Sequence, residues 1–328
     1  MLRTAIPRLS EIQRPVTDQL DQVIEELRRI VATDFSRIDE VNDYLLGLRG
    51  KLFRPTLLLL CNAVEGRPSP RAVTLAAAVE LVHLATLVHD DAVDHSVLRR
   101  GMPTVNALWN HQTAIIMGDY LYSRAVTELT TLGELELIAV LARAANEMSI
   151  GEMRQLASHD TLAFDEADYW RLIAAKTASL MSAACELGAV AGGRRFQQPL
   201  ARYGHHLGMA FQIADDLLDY TGTEGATGKP TGQDLREHKV TLPLIAALAR
   251  MSAVERAYVG RFFADPEPSA DAIVQTVGLV QQHGGLEVAR RRAHEYGERA
   301  AEALLELPPS PATESLRAAI SYVIERRR

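Results

Sequence analysis

The sequence predicts an all-α fold, a single large helix bundle spanning residues 1–328. Three observations carry this. Between Arg71 and Gln198 the one proline is Pro103, and the residues around it are rich in Ala, Leu and Glu with helical rather than alternating apolar spacing. No segment reads convincingly as a strand. Linker-like composition is absent, so no internal domain boundary is expected.

Helices are expected over residues 16–32, 37–47, 53–65, 70–95, 104–131, 134–160 and 165–191. They continue over 197–221, 240–252, 254–264, 269–283, 285–306 and 311–326. Turn-rich segments separate the principal ones: Glu65–Pro70, Arg99–Pro103, Gly192–Gln198, Gly222–Gly232 and Asp265–Ser269.

At 47% apolar and 23% charged residues, the chain can bury a substantial core. A net charge of −7 argues against a nucleic-acid surface and makes local basic clusters informative. Cys61 and Cys185 are too few and too far apart for a disulfide framework or zinc site, and read as buried thiols in a reducing compartment. The N-terminal MLRTAIPRLSEIQRP lacks an apolar core of signal-peptide length. The clearest apolar runs, Thr56–Leu60 and Leu242–Ala249, fall short of a membrane span, so a cytoplasmic location is expected.

Two acidic clusters organise the chain. In HLATLVHDDAVDHSVLRRG, Asp90 and Asp94 are i and i+4 on one helix face, with Asp91 to the side. In FQIADDLLDY, Asp215, Asp216 and Asp219 repeat the pattern, again after an apolar run. A lone cluster of this kind could be a solvated helix end. Two of them in apolar helices suit a hard divalent cation, which relieves the repulsion and shares its remaining positions with phosphate oxygens. The loop GTEGATGKPTG (residues 222–232), glycine-rich and carrying Lys229, follows the second cluster and is expected to close over phosphate.

The cations Lys51, Arg54, Arg99, Arg100, Lys176, Lys229 and Lys239 lie near these clusters in sequence. Each alone reads as a surface charge. Together, in an acidic chain, they suggest diphosphate recognition.

These residues bring the chain to a known family. It resembles the trans-type isoprenyl (polyprenyl) diphosphate synthases from about Gly50 to the C-terminus, and bacterial long-chain, octaprenyl-type members in particular. The matching elements are GKLFRP, HLATLVHDDAVDHSVLRRG, GDYLYS (118–123), GEMRQL (151–156), the pair Lys176–Thr177, FQIADDLLDY and GKPTGQDLREHKVTLP (228–243). The resemblance implies an isoprenoid-synthase-like bundle around a deep apolar cavity, with the Asp clusters facing each other across its mouth. It implies three Mg²⁺ ions per site, replaceable by Mn²⁺, held by Asp90, Asp94, Asp215 and Asp219, with Asp91 and Asp216 supporting. Lys51, Arg54, His83 and Arg100 would bind isopentenyl diphosphate. Arg99, Lys176, Thr177, Gln212, Lys229 and Lys239 would contact the allylic substrate, and Glu152 and Asp119 have family counterparts as well. A homodimer, and transient membrane contact for product release, are further expectations. No nucleic-acid partner is expected.

One departure stands out. The family usually has glycine where this chain has His238, so a positive φ there would strain the backbone before Lys239.

Product length is expected to be read along the helix that ends at Asp90. One turn rises about 5.4 Å, close to one isoprene unit. Short-chain members place an aromatic residue at the position of Ala85 or Thr86; both are small here. With Val82, and with Tyr122, Ser123 and Val126 opposite, they would line an open tunnel, and octaprenyl is the expected product. The alternatives are a short-chain farnesyl or geranylgeranyl synthase and a non-catalytic subunit of a heteromeric synthase, though such subunits typically lack complete Asp clusters. A di-iron bundle would need a second ExxH besides Glu80–His83, and a terpene cyclase would need a different second motif.

Overall fold

The computed structural model describes residues 6–48, 50–66, 69–99, 101–157, 162–221 and 232–325. The chain opens with α1 (Leu9–Gln13), a 3₁₀ turn, α2 (Thr17–Val31), α3 (Ser36–Gly47), α4 (Phe53–Ala63) and α5 (Arg71–Val93). A short hairpin, β1 (Leu98–Arg99) with β2 (Met102–Pro103), then leads to α6 (Val105–Leu108), α7 (His111–Thr131) and α8 (Leu135–Ala157). The second half holds α9 (Glu166–Ile173), α10 (Ser179–Gly192), α11 (Gln197–Thr221), α12 (Gln233–Arg236) and α13 (Leu242–Leu248). It ends with α14 (Ala253–Phe263), α15 (Ala270–Gln282), α16 (Gly285–Ala303) and α17 (Pro311–Glu325).

The all-α reading holds, and local chemistry explains where the predicted elements differ. The hairpin was not legible as strand: each arm is two residues, and Gly101 at φ 79 makes its turn. The expected helix over 104–131 is broken because Asn110 caps α7, its side chain accepting from Thr113 N at 2.7 Å. The expected helix over 165–191 is divided by a π-helical turn at Ala174–Ala178, the segment that carries Lys176 and Thr177.

Two apolar clusters form the interior. The first gathers α1, α2, α4, α5, α7, α8, α10 and α17. The second gathers α9 and α12–α16. α11 belongs to both: Leu200, Tyr203 and Leu207 face the first, whereas Met209, Ile213 and Tyr220 face the second. The two meet near Leu207–Ala210, and the acidic cluster lies just beyond, between Ile213 and Tyr220 of the second. Close approach is needed there, since a Cβ on Gly208 would come within 2.6 Å of the Ala178 Cα in the π turn.

α5 is itself long and apolar enough to cross a membrane, with mean hydropathy 1.6, which the inspection of short apolar runs missed. In this fold 61% of that window is buried, so the core takes up its apolar surface.

Candidate active site

The last turn of α5 extends to Asp94, whose N–H bonds Asp90 O at 2.8 Å. Asp91, 7% exposed, points into the protein and accepts Arg99 Nε with both carboxylate oxygens at 2.9 Å. This pair ties β1 to the end of α5 and orients the hairpin. Arg99, expected on the allylic diphosphate, is thus partly committed to Asp91.

His89 braces the same turn from the other side. Its Nε2 lies 3.0 Å from Ile115 O and 3.4 Å from Asp119 Oδ1, and its ring occupies the space a Cβ on Gly118 would need. Asp119 is largely exposed and meets His89 rather than the Asp clusters. His89 was missed in the sequence; the signal was Gly118 in GDYLYS, where only glycine leaves room for the ring.

Lys176 gathers the first acidic group. From the π turn its Nζ reaches Glu152 Oε2 at 2.5 Å, Gln155 Oε1 at 3.1 Å and Asp90 Oδ2 at 3.5 Å. Burial pushes the Asp90 carboxyl above its usual range, the positive Lys176 opposes this, and the negative Glu152 adds to it.

A second chain of contacts starts one residue on. Thr177 Oγ1 donates to Gln212 Oε1 at 2.7 Å, and Gln212 Nε2 donates to Asp216 Oδ1 at 2.8 Å. Tyr169 OH donates to the other oxygen of Asp216 at 2.6 Å. Burial raises Asp216 to about 7, against the lowering effect of those two hydrogen bonds, while Asp215 and Asp219 push it further up. Asp216 therefore joins α9, the π turn and α11, and Asp215 stays exposed on α11. Tyr169 was not legible as a site residue, because nothing in its local sequence points at a residue on α11.

Asp219 accepts the backbone N–H groups of Gln233 and Asp234 at 3.0 and 3.1 Å, folding the start of α12 onto the second cluster. This brings in Asp234, a fourth carboxylate that sequence reasoning passed over within GKPTGQDLREHK. Burial and then the charges of Asp219 and Asp216 hold its carboxyl well above the usual range; Lys239 opposes them. Lys239 sits 2.6 Å from Glu237 Oε2. Burial works against its charge, but Glu237 and Asp234 outweigh that, and Asp94 contributes too. Lys239 thus feels both acidic clusters. His238 has φ 53, as the missing glycine suggested, and its ring packs 5.6 Å from Phe263 and 6.3 Å from Phe262.

The GKLFRP loop abuts α5 at Glu80, one turn before His83: a Cβ on Gly50 would stand 3.5 Å from Glu80 Oε1. Lys51 is exposed, and Arg54 lies in the first turn of α4. Arg100, Lys229 and most of the 222–232 loop fall outside the described residues.

The residues expected along the tunnel differ in their placement. On α5, Thr86 shares the Asp90 stripe, whereas Ala85 lies about 140° round the helix from Asp90 at 3.6 residues per turn. Ala85 and Val82 are 3% and 1% exposed, packed among the core residues of α5. On α7 the buried residues include Met117, Leu121 and Ala125, while Tyr122 and Ser123 are exposed and Val126 is half-buried. A hollow of 630 Å³ does exist between α2 and the start of α5, but it is lined by polar residues such as Gln22, Glu25 and Thr74. Thr74 is about 24 Å from Asp90 by the rise per residue, so this hollow is not the site.

Among the described residues no three Asp, Glu, His or Cys side chains form a closed metal cage. The donors instead stand on two helices, α5 and α11. All are hard oxygen donors, the ligand type that Mg²⁺ takes.

Residues 35–279 match the family model described as polyprenyl synthetase. The chain belongs to that family. It is 37% identical to the all-trans-nonaprenyl-diphosphate synthase (geranyl-diphosphate specific) of Rhodobacter capsulatus, covering 95% of this chain and 96% of the relative. It is 36% identical to heptaprenyl diphosphate synthase component 2 of Geobacillus stearothermophilus, covering 95% and 97%. The fold matches the crystal structure of polyprenyl synthase from Caulobacter crescentus complexed with calcium and isoprenyl diphosphate, with TM-score 0.94, 32% identity and coverage of 99% and 100%. As a member of the polyprenyl synthetase family, the chain is a prenyltransferase.

Proposed function

We propose that this prenyltransferase condenses isopentenyl diphosphate head-to-tail onto an allylic diphosphate, with farnesyl diphosphate as primer, to make all-trans octaprenyl diphosphate for a quinone side chain. The observation that carries the reading is a lysine at each acidic group: Lys176 stands against Asp90, and Lys239 lies under the charges of Asp234 and, more weakly, Asp94. Octaprenyl lies between the products named for the heptaprenyl and nonaprenyl relatives.

Asp90, Asp94, Asp215 and Asp219 would hold Mg²⁺. The bound ions would neutralise the diphosphate as it leaves, which favours ionisation of the allylic C–O bond. Lys176 and Lys239 add fixed positive charge where the leaving group develops negative charge. Lys51, Arg54 and His83 would hold isopentenyl diphosphate beside α5, so that its double bond attacks the cation. The Asp216 oxygens are taken by Tyr169 and Gln212, leaving that carboxylate poorly placed as a base. The departing pyrophosphate is the proposed proton acceptor.

A second copy of the chain is the proposed partner. Exposed Ile115 and Ile116 on α7, with Ile150, Met153 and Leu156 on α8, support a homodimer. Exposed Val97, Leu98 and Met102 at the hairpin support transient membrane contact during release of a lipid product. Two buried, unbridged cysteines favour a cytoplasmic location.

The purified chain, given farnesyl or geranyl diphosphate, isopentenyl diphosphate and Mg²⁺, tests the reading by chromatography of the dephosphorylated products. An octaprenyl product is expected. Products stopping at farnesyl or geranylgeranyl would exclude the long-chain assignment, and activity only with an added second polypeptide would favour a heteromeric enzyme.

A further inference from the structure

We propose that Gln13, on the N-terminal helix α1, is a positioning residue for the isopentenyl diphosphate subsite. It lies outside the segment matched by the family model, which begins at residue 35. Its Nε2 donates at 3.0 Å to Lys51 O and at 3.0 Å to Thr56 Oγ1, so both amide hydrogens are used. The orientation of the amide follows from chemistry, because a carbonyl can only accept and the opposite flip would set two oxygens together.

These two contacts bracket a strained stretch of backbone. Leu52 lies between them at φ 48, ψ 38, a left-handed conformation that costs a branched side chain. Thr56, fully buried, fastens the far side: its Oγ1 donates to Leu52 O at 2.7 Å and its N–H to the same oxygen at 2.9 Å. The Thr56 hydroxyl therefore accepts from Gln13 and donates to Leu52, which makes Gln13 the outer link of a closed chain around the strained residue. Phe53 anchors the other side, stacked 6.0 Å from Phe211 and tilted against Tyr322 at 5.9 Å. α1 is itself seated by Ile12, 1% exposed in the core. Lys51 precedes Leu52 and Arg54 follows Phe53, so the Leu52 twist sets the direction of one cation relative to the other. Without Gln13, Leu52 can relax toward ordinary φ and turn Lys51 away.

The inference rests on the assignment of Lys51 and Arg54 to isopentenyl diphosphate. Its test is steady-state kinetics of Gln13→Ala, Lys51→Ala and the double variant, with thermal melting of each. Gln13→Ala is expected to raise the KM for isopentenyl diphosphate about five- to tenfold, the effect of losing one well-placed contact. The allylic KM and kcat should stay within about twofold, with Tm within about 2 °C. In the Lys51→Ala background the Gln13 effect should fall below about twofold, since the two act through one cation. An unchanged KM in Gln13→Ala, equal rises for both substrates, or full additivity would each overturn the proposal. If Lys51→Ala itself leaves the isopentenyl diphosphate KM unchanged, the subsite assignment fails, and the proposal with it.

Discussion

Lys176 Nζ stands 3.5 Å from Asp90 Oδ2, on a π-helical turn that carries it across from the far side of the site. A straight α-helix continuing from α9 into α10 would place that side chain differently, because the wider turn shifts the register of everything after it. Glu152 and Gln155, one turn apart on α8, hold the same ammonium. The lysine thus balances three acceptors.

Replacing Lys176 with Met should therefore weaken the allylic substrate more than isopentenyl diphosphate. A loss of roughly tenfold or more in kcat/KM for the allylic partner is expected, in line with removal of a charge-assisted contact. Kinetics with each substrate varied in turn check this. Equal losses for both would place Lys176 outside the allylic subsite.

Asp216 gives a pH-dependent stability with a definite sign. Burial holds it near 7 in the folded protein against 3.8 when free, so between those values the folded state keeps a proton that the unfolded state releases. Stability of the metal-free protein should therefore fall as pH rises through this interval. Acidifying from about pH 8 to about pH 6 should stabilise it by roughly 1 kcal/mol from this group. Asp216→Asn should flatten that part of the profile. Thermal melts in chelator read the difference between the two proteins, and identical profiles would contradict the assignment.

Thr86 is the position where product length should respond. It shares the Asp90 stripe and is only partly buried, with its hydroxyl turned back to His83 O at 2.8 Å. Thr86→Phe should shift products toward farnesyl and geranylgeranyl lengths while the first condensation survives. Ala85→Tyr is a poorer probe, because at 3% exposure a phenol there overpacks the core, typically at about 1–3 kcal/mol. Chromatography of the dephosphorylated products decides, and an unchanged distribution for Thr86→Phe would move the gate elsewhere.

Much of this architecture is written locally, and the parts that are not share a reason. Proline spacing and helical periodicity gave the bundle, and the i, i+4 aspartates gave the two clusters, because both depend on residues within one or two turns. The strain at His238 was legible for the same reason, since backbone φ is a local property. Tyr169, Gln13 and Asp234 were not legible. Each acts on an atom that only the fold brings near: Asp216 on α11, Lys51 on the loop before α4, and the Asp219 cluster. Ala85 and Thr86 differ in a property that spacing alone does not carry. Counting residues back from Asp90 gives distance along the helix but not direction around it, and the wheel turns Ala85 into the core.

The central claim is that the two Asp clusters work as one metal–diphosphate site, and the direct measurement is pyrophosphate release by Asp90→Ala and Asp215→Ala beside the unaltered chain. The unaltered chain should release pyrophosphate from farnesyl and isopentenyl diphosphates only with Mg²⁺ or Mn²⁺ present. Each variant should lose roughly a hundredfold or more in turnover, with its helical circular dichroism unchanged. Near-normal turnover by either variant would contradict the account.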